Sequence, residues 1–172
     1  MRKCRPMKIV IAPDSFKESM SAREAAEAIQ EGFSKILPST VEYDLIPMAD
    51  GGEGTTEALM EALNAKTIAT TVKDPLYRDI TAKYAYASSQ KIAIIEMAAA
   101  SGLDLLTKEE RNPLKTTTFG TGQLINHALE LGAQKIILGI GGSATNDGGV
   151  GMLQALGVKF LDSNGHSIEP GG

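Results

Sequence analysis

The spacing of apolar positions divides the chain into alternating strand and helix signals. Lys8-Ile-Val-Ile-Ala12 is a short apolar run closed by Pro13, the pattern of a buried parallel strand. Ser21-Ala-Arg-Glu24 reads as a capping box. Ala25, Ala28, Ile29 and Phe33 follow at helical spacing to about Leu37, and Pro38 ends the helix. The βα order then repeats: Val41 to Ile46 predicts a strand, Pro47 to Glu53 a loop, and Gly54 to Leu63 a helix with Asn64 as its C′ residue.

Beyond this the texture changes. Thr67 to Lys73, Ile80 to Tyr86 and Lys91 to Met97 are β-rich runs joined by Asp74-Pro75 and Ser88-Ser89-Gln90 turns, which predicts a meander and a domain boundary near Lys66. Thr107-Lys-Glu-Glu110 offers a second capping box, with Pro113 limiting any helix there to about one turn. Gly120 to Leu131 predicts a helix closed by Gly132, Lys135 to Ile140 a further buried strand, and Val150 to Leu156 a short helix. Val158 to Leu161 and His166 to Glu169, around Ser163-Asn164-Gly165, predict a closing hairpin. The expected fold class is α/β. Residues 7–66 form a Rossmann-like parallel α/β segment, an incomplete first domain. Residues 67–172 begin a second, mixed α/β domain with the meander and a glycine-rich loop, also incomplete. Residues 1–6 are expected to be a disordered leader, with Met7 as an alternative start.

Composition narrows the partners. A net charge of −4 supplies no basic footprint for nucleic acid or an anionic membrane. The single cysteine, Cys4, rules out an internal disulfide framework and suits a reducing, cytoplasmic setting. No apolar run reaches the roughly 18 residues of a membrane span.

Eighteen glycines gather in a few clusters, which points to backbone-lined loops. The strongest is Gly141-Gly-Ser-Ala-Thr-Asn-Asp-Gly-Gly149, between a strand and a helix. Its amides, with Ser143, Thr145 and Asn146, suit a phosphate, and Asp147 suits Mg²⁺; the alternative is a tight connector that needs positive φ. The P-loop pattern is absent. Gly139-Ile-Gly141-Gly-Ser-Ala144 meets the dinucleotide fingerprint only in part, because Thr145 to Gly149 intervene before the helix.

Asp14, Ser15 and Lys17 follow the first strand at the edge where open α/β sheets place ligands, and Ala49-Asp-Gly-Gly-Glu-Gly54 follows the second. Asp50 and Glu53 among Gly51, Gly52 and Gly54 suit base catalysis or a metal. Glu96 ends an apolar run and must be either paired or functional. Thr116-Thr-Thr-Phe-Gly-Thr-Gly122 precedes a helix, so its groups either bind an anion or cap, with Thr121 expected to cap. His127 and His166 have no second metal-type residue at ligand spacing and read as structural or exposed.

Taken together, APDSFKESMSA at Ala12, ADGGEGT at Ala49, EMAAASGL at Glu96, NPLKTTTFGTGQLI at Asn112 and GGSATNDGGVGMLQALG at Gly141 resemble the bacterial glycerate kinase family, in the same order and over nearly all of residues 7–172. The resemblance implies transfer of the ATP γ-phosphoryl group to D-glycerate, most simply at the 2-hydroxyl, with Mg²⁺, in the cytoplasm, by two α/β domains around a cleft. Asp14, Lys17, Asp50 and Glu53 are then the expected catalytic residues, Lys17 and the Asp50/Glu53 loop near glycerate or metal, with Asp14 or Asp50 as a base that orients the substrate hydroxyl. Ser15, Gly51, Gly52, Gly54, Glu96, Thr117, Gly120, Thr121, Gly122, Gly141, Gly142, Ser143, Thr145, Asn146, Gly148 and Gly149 are expected to bind substrate or phosphate, with Asp147 on the metal. Family members are about twice this length, so the chain is expected to be the amino-terminal portion, with open sheet edges free to self-associate. A non-catalytic phosphate- or nucleotide-binding fragment is the alternative, and a dinucleotide oxidoreductase a weaker one.

Overall fold

The computed structural model describes residues 7–16, 19–49, 55–169 and 171–172, the side chains of Ala58 and Glu61 aside. The chain divides into two compact units, residues 1–50 and 51–172.

In the first unit, β1 (Lys8–Ile11) and β2 (Glu42–Leu45) pair in parallel, Lys8 opposite Glu42 and Ile11 opposite Leu45, with α1 (Ala22–Ser34) as the crossover. The capping box read from the sequence is formed: Ser21 Oγ accepts from the Glu24 amide, and the Glu24 carboxylate accepts from the Ser21 amide at 2.7 Å. α1 lays Ala25 and Ala26 inward, and Ile11 is the buried residue of β1. Val10, on the alternate face of β1, is 57% exposed.

The second unit is built on a mixed four-stranded sheet in the order β3-β4-β5-β6: β3 (Lys66–Lys73), β4 (Asp79–Ala87), β5 (Ile92–Glu96) and β6 (Lys135–Gly139). The first three strands are the predicted antiparallel meander, and β6 joins β5 in parallel, Glu96 opposite Gly139. The return is made by α3 (Ala98–Ser101) and α4 (Phe119–Glu130). Leu124, Ile125 and Ala128 of α4 close a core with Val72, Ala82, Tyr84, Ala93 and Ile95, all of one strand face or its neighbour. Of the other parity, Ala85, Ala87 and Ile94 are buried too, while Ala69, Thr71, Thr81 and Lys83 are exposed, so the second side is covered only toward β5. α2 (Thr55–Leu63) packs on β4 and β5, and Asn64 ends it at φ +48°, the left-handed conformation a C′ residue takes. By packing, α2 therefore goes with the second unit, although it follows β2 in the chain.

Two glycines in α4 are there for contact distance. A Cβ on Gly120 would lie 1.8 Å from the Lys73 carbonyl oxygen, and one on Gly122 would lie 2.3 Å from that of Met152 in α5 (Val150–Ala155). The Lys73 amide also donates to Gln123 Oε1 at 2.7 Å, which locks the end of β3 onto α4. The Asp74-Pro75 turn is equally fixed. Asp74, buried, accepts from the amides of Leu76 and Arg78 and from the Arg78 guanidinium, which reaches on to Glu110 at 2.7 Å.

The predicted closing hairpin is a correction. Residues 158–169 form no strands; Leu161 and Ser167 make a single bridge around a turn that Asp162 caps by accepting from the amides of Asn164 and His166. With few apolar side chains to bury, the ladder does not extend. Thr107 to Glu110 does form its capping box, over one 3₁₀ turn.

Gly120→Ala has no room to relax against backbone. We expect a loss of about 2 kcal/mol or more, read as a lowered denaturation midpoint. Asp74→Ala strips the acceptor from two turn amides and the partner from a guanidinium. The expected loss is about 2–4 kcal/mol by the same measurement, with Pro75→Ala much milder.

Candidate functional site

In the first unit the loops after β1 and β2 leave one edge together. The Ile46 amide donates to the Ile11 carbonyl at 2.8 Å and the Met48 amide to the Pro13 carbonyl at 2.9 Å, so pairing continues past both strands. Asp14 is exposed at this edge and accepts from the Ser15 amide at 2.7 Å. Lys17, Asp50, Gly51, Gly52, Glu53 and Gly54 lie outside the described residues.

In the second unit the corresponding edge is the carboxyl end of the parallel pair β5–β6. Here the segment after β5 and the glycine loop after β6 are stitched to each other. The Met97 amide donates to the Gly139 carbonyl, Leu103 to Gly142, and Ala144 to Ser101, at 2.9, 2.9 and 2.8 Å. The Ser143 and Thr145 hydroxyls share a hydrogen bond of 2.9 Å, and the Thr145 amide donates to Ser143 Oγ. Gly142, Gly148 and Gly149 hold positive φ of 73°, 61° and 80°, as the connector reading requires. Asn146 and Gly148 stand exposed at the loop's outer side, while Gly141 is half-buried at its root.

Asp147 is the loop's buried group, 7% exposed. Its oxygens accept from five donors: the Thr118 amide (2.8 Å), the Thr118 hydroxyl (2.8 Å), the Thr117 hydroxyl (3.3 Å), the Gly149 amide (3.0 Å) and the Gly151 amide (3.1 Å). Burial pushes the carboxyl up, but the hydrogen bonds from Thr118, Gly149 and Gly151 outweigh it and hold the group below its ordinary range. It is therefore charged at neutral pH. The stability it contributes is present above the ordinary carboxylate range and is lost only as pH falls through the lowered value. A Cβ at Gly151 would lie 2.0 Å from Thr117 Oγ1, so the donors can converge only because that position is glycine.

The Mg²⁺ expectation for Asp147 does not fit this donor set, because both oxygens are already engaged by N–H and O–H groups. Among the described residues no three His, Cys, Asp or Glu side chains gather to hold a metal. Three further expectations are corrected alike. Thr121 does not cap α4: it is buried, its hydroxyl 2.7 Å from Ser101 Oγ. Gly120 and Gly122 sit in helix contacts rather than on open surface. Thr117 does stand at the helix start, its hydroxyl accepting from the Phe119 amide at 3.2 Å.

Glu96 proves to be both paired and placed. Its Oε1 accepts from the Thr56 amide in the first turn of α2 at 2.7 Å, and it lines a cavity of about 560 Å³ with Thr56, Met60, Thr67, Lys83 and Ala99. His127 is structural, its Nδ1 2.9 Å from the Tyr84 hydroxyl, whose pKa burial raises to about 12; His166 is exposed.

Sequence reasoning took Thr116 and Thr118 only as part of the segment before α4 and gave neither a role of its own. Thr116 Oγ1 donates to the Ala144 carbonyl at 2.8 Å, and Thr118 supplies two of Asp147's donors while accepting from the Met152 amide at 2.9 Å. The signal was the run of three threonines itself, since hydroxyls beside a helix start compete for backbone partners.

Comparison with known proteins gives this arrangement its context. The model of the glycerate kinase family matches residues 9–172. A glycerate kinase of Halalkalibacterium halodurans is 57% identical over 95% of this chain and 43% of its own length. A glycerate 2-kinase of Escherichia coli is 55% identical over 96% of this chain, again 43% of its own length. The crystal structure of a candidate glycerate kinase 2 from Salmonella typhimurium LT2 superposes with a TM-score of 0.81 at 53% identity, covering 97% of this chain and 44% of that one. The chain thus spans well under half the length of the curated relatives it matches. With a glycine-rich loop at the carboxyl end of the parallel pair β5–β6 and a family match over nearly its whole length, the chain belongs to the glycerate kinase family.

Proposed function

We propose that the protein acts as a glycerate kinase, moving the γ-phosphoryl group of ATP to D-glycerate. The glycerate hydroxyl oxygen gains the bond to phosphorus and loses its proton, while the bond from phosphorus to the bridging oxygen of ADP breaks. The observation that carries the reading is the 55–57% identity to relatives named glycerate kinase across 95–96% of this chain. Transfer to the 2-hydroxyl is the finer reading, supported by the relative named a glycerate 2-kinase.

Phosphoryl transfer asks the protein mainly for position and charge. Asp14, exposed in the loop after β1, would orient the glycerate hydroxyl. The exposed Asn146 and Gly148 offer donors to a phosphate from a loop in which the Ala144, Thr145 and Gly149 amides are already held. Mg²⁺ would arrive with the triphosphate and would supply charge neutralisation there, since it retains waters and needs few protein ligands. Among the described residues no helix is long and apolar enough to cross a membrane, and a cytoplasmic setting would supply the ATP.

The test is a coupled assay of ADP formation with Mg·ATP, with and without D-glycerate, and ³¹P NMR of the product. We expect ADP formation that depends on D-glycerate and a phosphate on C2. Binding of nucleotide with no turnover would replace this reading with a non-catalytic nucleotide-binding one. Asn146→Ala is expected to raise KM for ATP several-fold and leave the denaturation midpoint unchanged within about 0.5 kcal/mol, as for surface positions generally.

A further inference from the structure

We propose that Asp147 is an internal anion that fixes the glycine loop against the start of α4, a positioning residue and not a ligand of the nucleotide's metal. Its effect on ATP rests on the kinase reading; its effect on the loop does not. The geometry carries the case. The Thr118 and Gly151 amides and the Thr117 and Thr118 hydroxyls converge on Oδ2, while the Gly149 amide addresses Oδ1. Thr118 Oγ1, having donated, accepts in turn from the Met152 amide, so one carboxylate ties the first turns of α4 and α5 to the loop between β6 and α5.

A divalent cation at roughly 2.1 Å would have to take lone pairs that these N–H and O–H groups occupy, and it would face their positive ends. Nor can a neutral side chain substitute in full. An asparagine keeps one acceptor, so it can serve the Thr118 and Gly151 side only by turning its NH₂ toward the Gly149 amide.

The experiment is amide hydrogen exchange by NMR on the intact chain and on Asp147→Ala and Asp147→Asn. In Asp147→Ala we expect at least tenfold loss of protection at Thr118, Gly149 and Gly151, with Ile94 and Ile95 in β5 unchanged. Asp147→Asn should lose it mainly at Gly149. Unchanged protection at all three amides overturns the proposal. Mn²⁺, alone and with ATP, is then added to the unmodified chain, which keeps the test decisive should neither variant fold. We expect no selective, saturable broadening centred on Asp147, Thr118 and Gly149; such broadening overturns the proposal. In the coupled assay Asp147→Asn should raise KM for ATP tenfold or more, while the Mg²⁺ concentration for half-maximal rate at saturating ATP stays within twofold. A tenfold rise in that Mg²⁺ requirement reinstates the metal ligand. An unmodified chain that makes no ADP from D-glycerate sinks the kinase reading and leaves the exchange and Mn²⁺ results to decide this one.

Discussion

A carboxylate withdrawn from water must be surrounded by donors, and around Asp147 those donors come from segments 29 and 30 residues apart in the chain as well as from its own loop. That requirement shapes the second unit's working edge. Thr118 must end the approach to α4 with its amide and hydroxyl pointing one way, Gly151 must lack a Cβ, and Gly149 must take a left-handed turn that aims its amide back. Any one of these broken leaves a charge without its full shell, which costs more than the hydrogen bond itself was worth. The loop is thereby held as a firm ridge beside the segment after β5, with Asn146 and Gly148 on its open side.

Much of this was legible in the residues. Both capping boxes, Asn64 as a helix end and the Asp74-Pro75 turn follow from local chemistry, in which a residue's partners lie within four positions, and the strands follow from their apolar runs. The parallel addition of β6 to β5 was legible only as a buried run, because register and direction are set by the core and not by the run. The family resemblance added what local reading could not, the joint meaning of loops that lie far apart in sequence.

The misreadings at the candidate site share one cause. Glycine, threonine and aspartate serve ligand sites and tight packing equally well, and sequence does not say which way a side chain turns. Gly120 and Gly122 read as anion-binding positions but make room for Lys73 and Met152. Thr121 reads as a cap, yet it faces Ser101 inside the unit. Asp147 reads as a metal ligand because an acid among glycines often is one, whereas here the glycines supply its donors. The hairpin after Val158 failed for a different reason: turn chemistry fixes a reversal, but strands lengthen only where there is apolar surface to cover.

The first unit is the thinner of the two. Among its described residues the buried apolar side chains are Ile11, Ala25 and Ala26, and two strands with one helix hold them. In the second unit, by contrast, α4 closes a core of aliphatic and aromatic side chains over one whole face of the sheet. The position of Asp14 beside the first unit's small interior therefore rests on backbone: the Ile46 and Met48 amides, hydrogen-bonded to the Ile11 and Pro13 carbonyls, carry the β1–β2 pairing out to its edge.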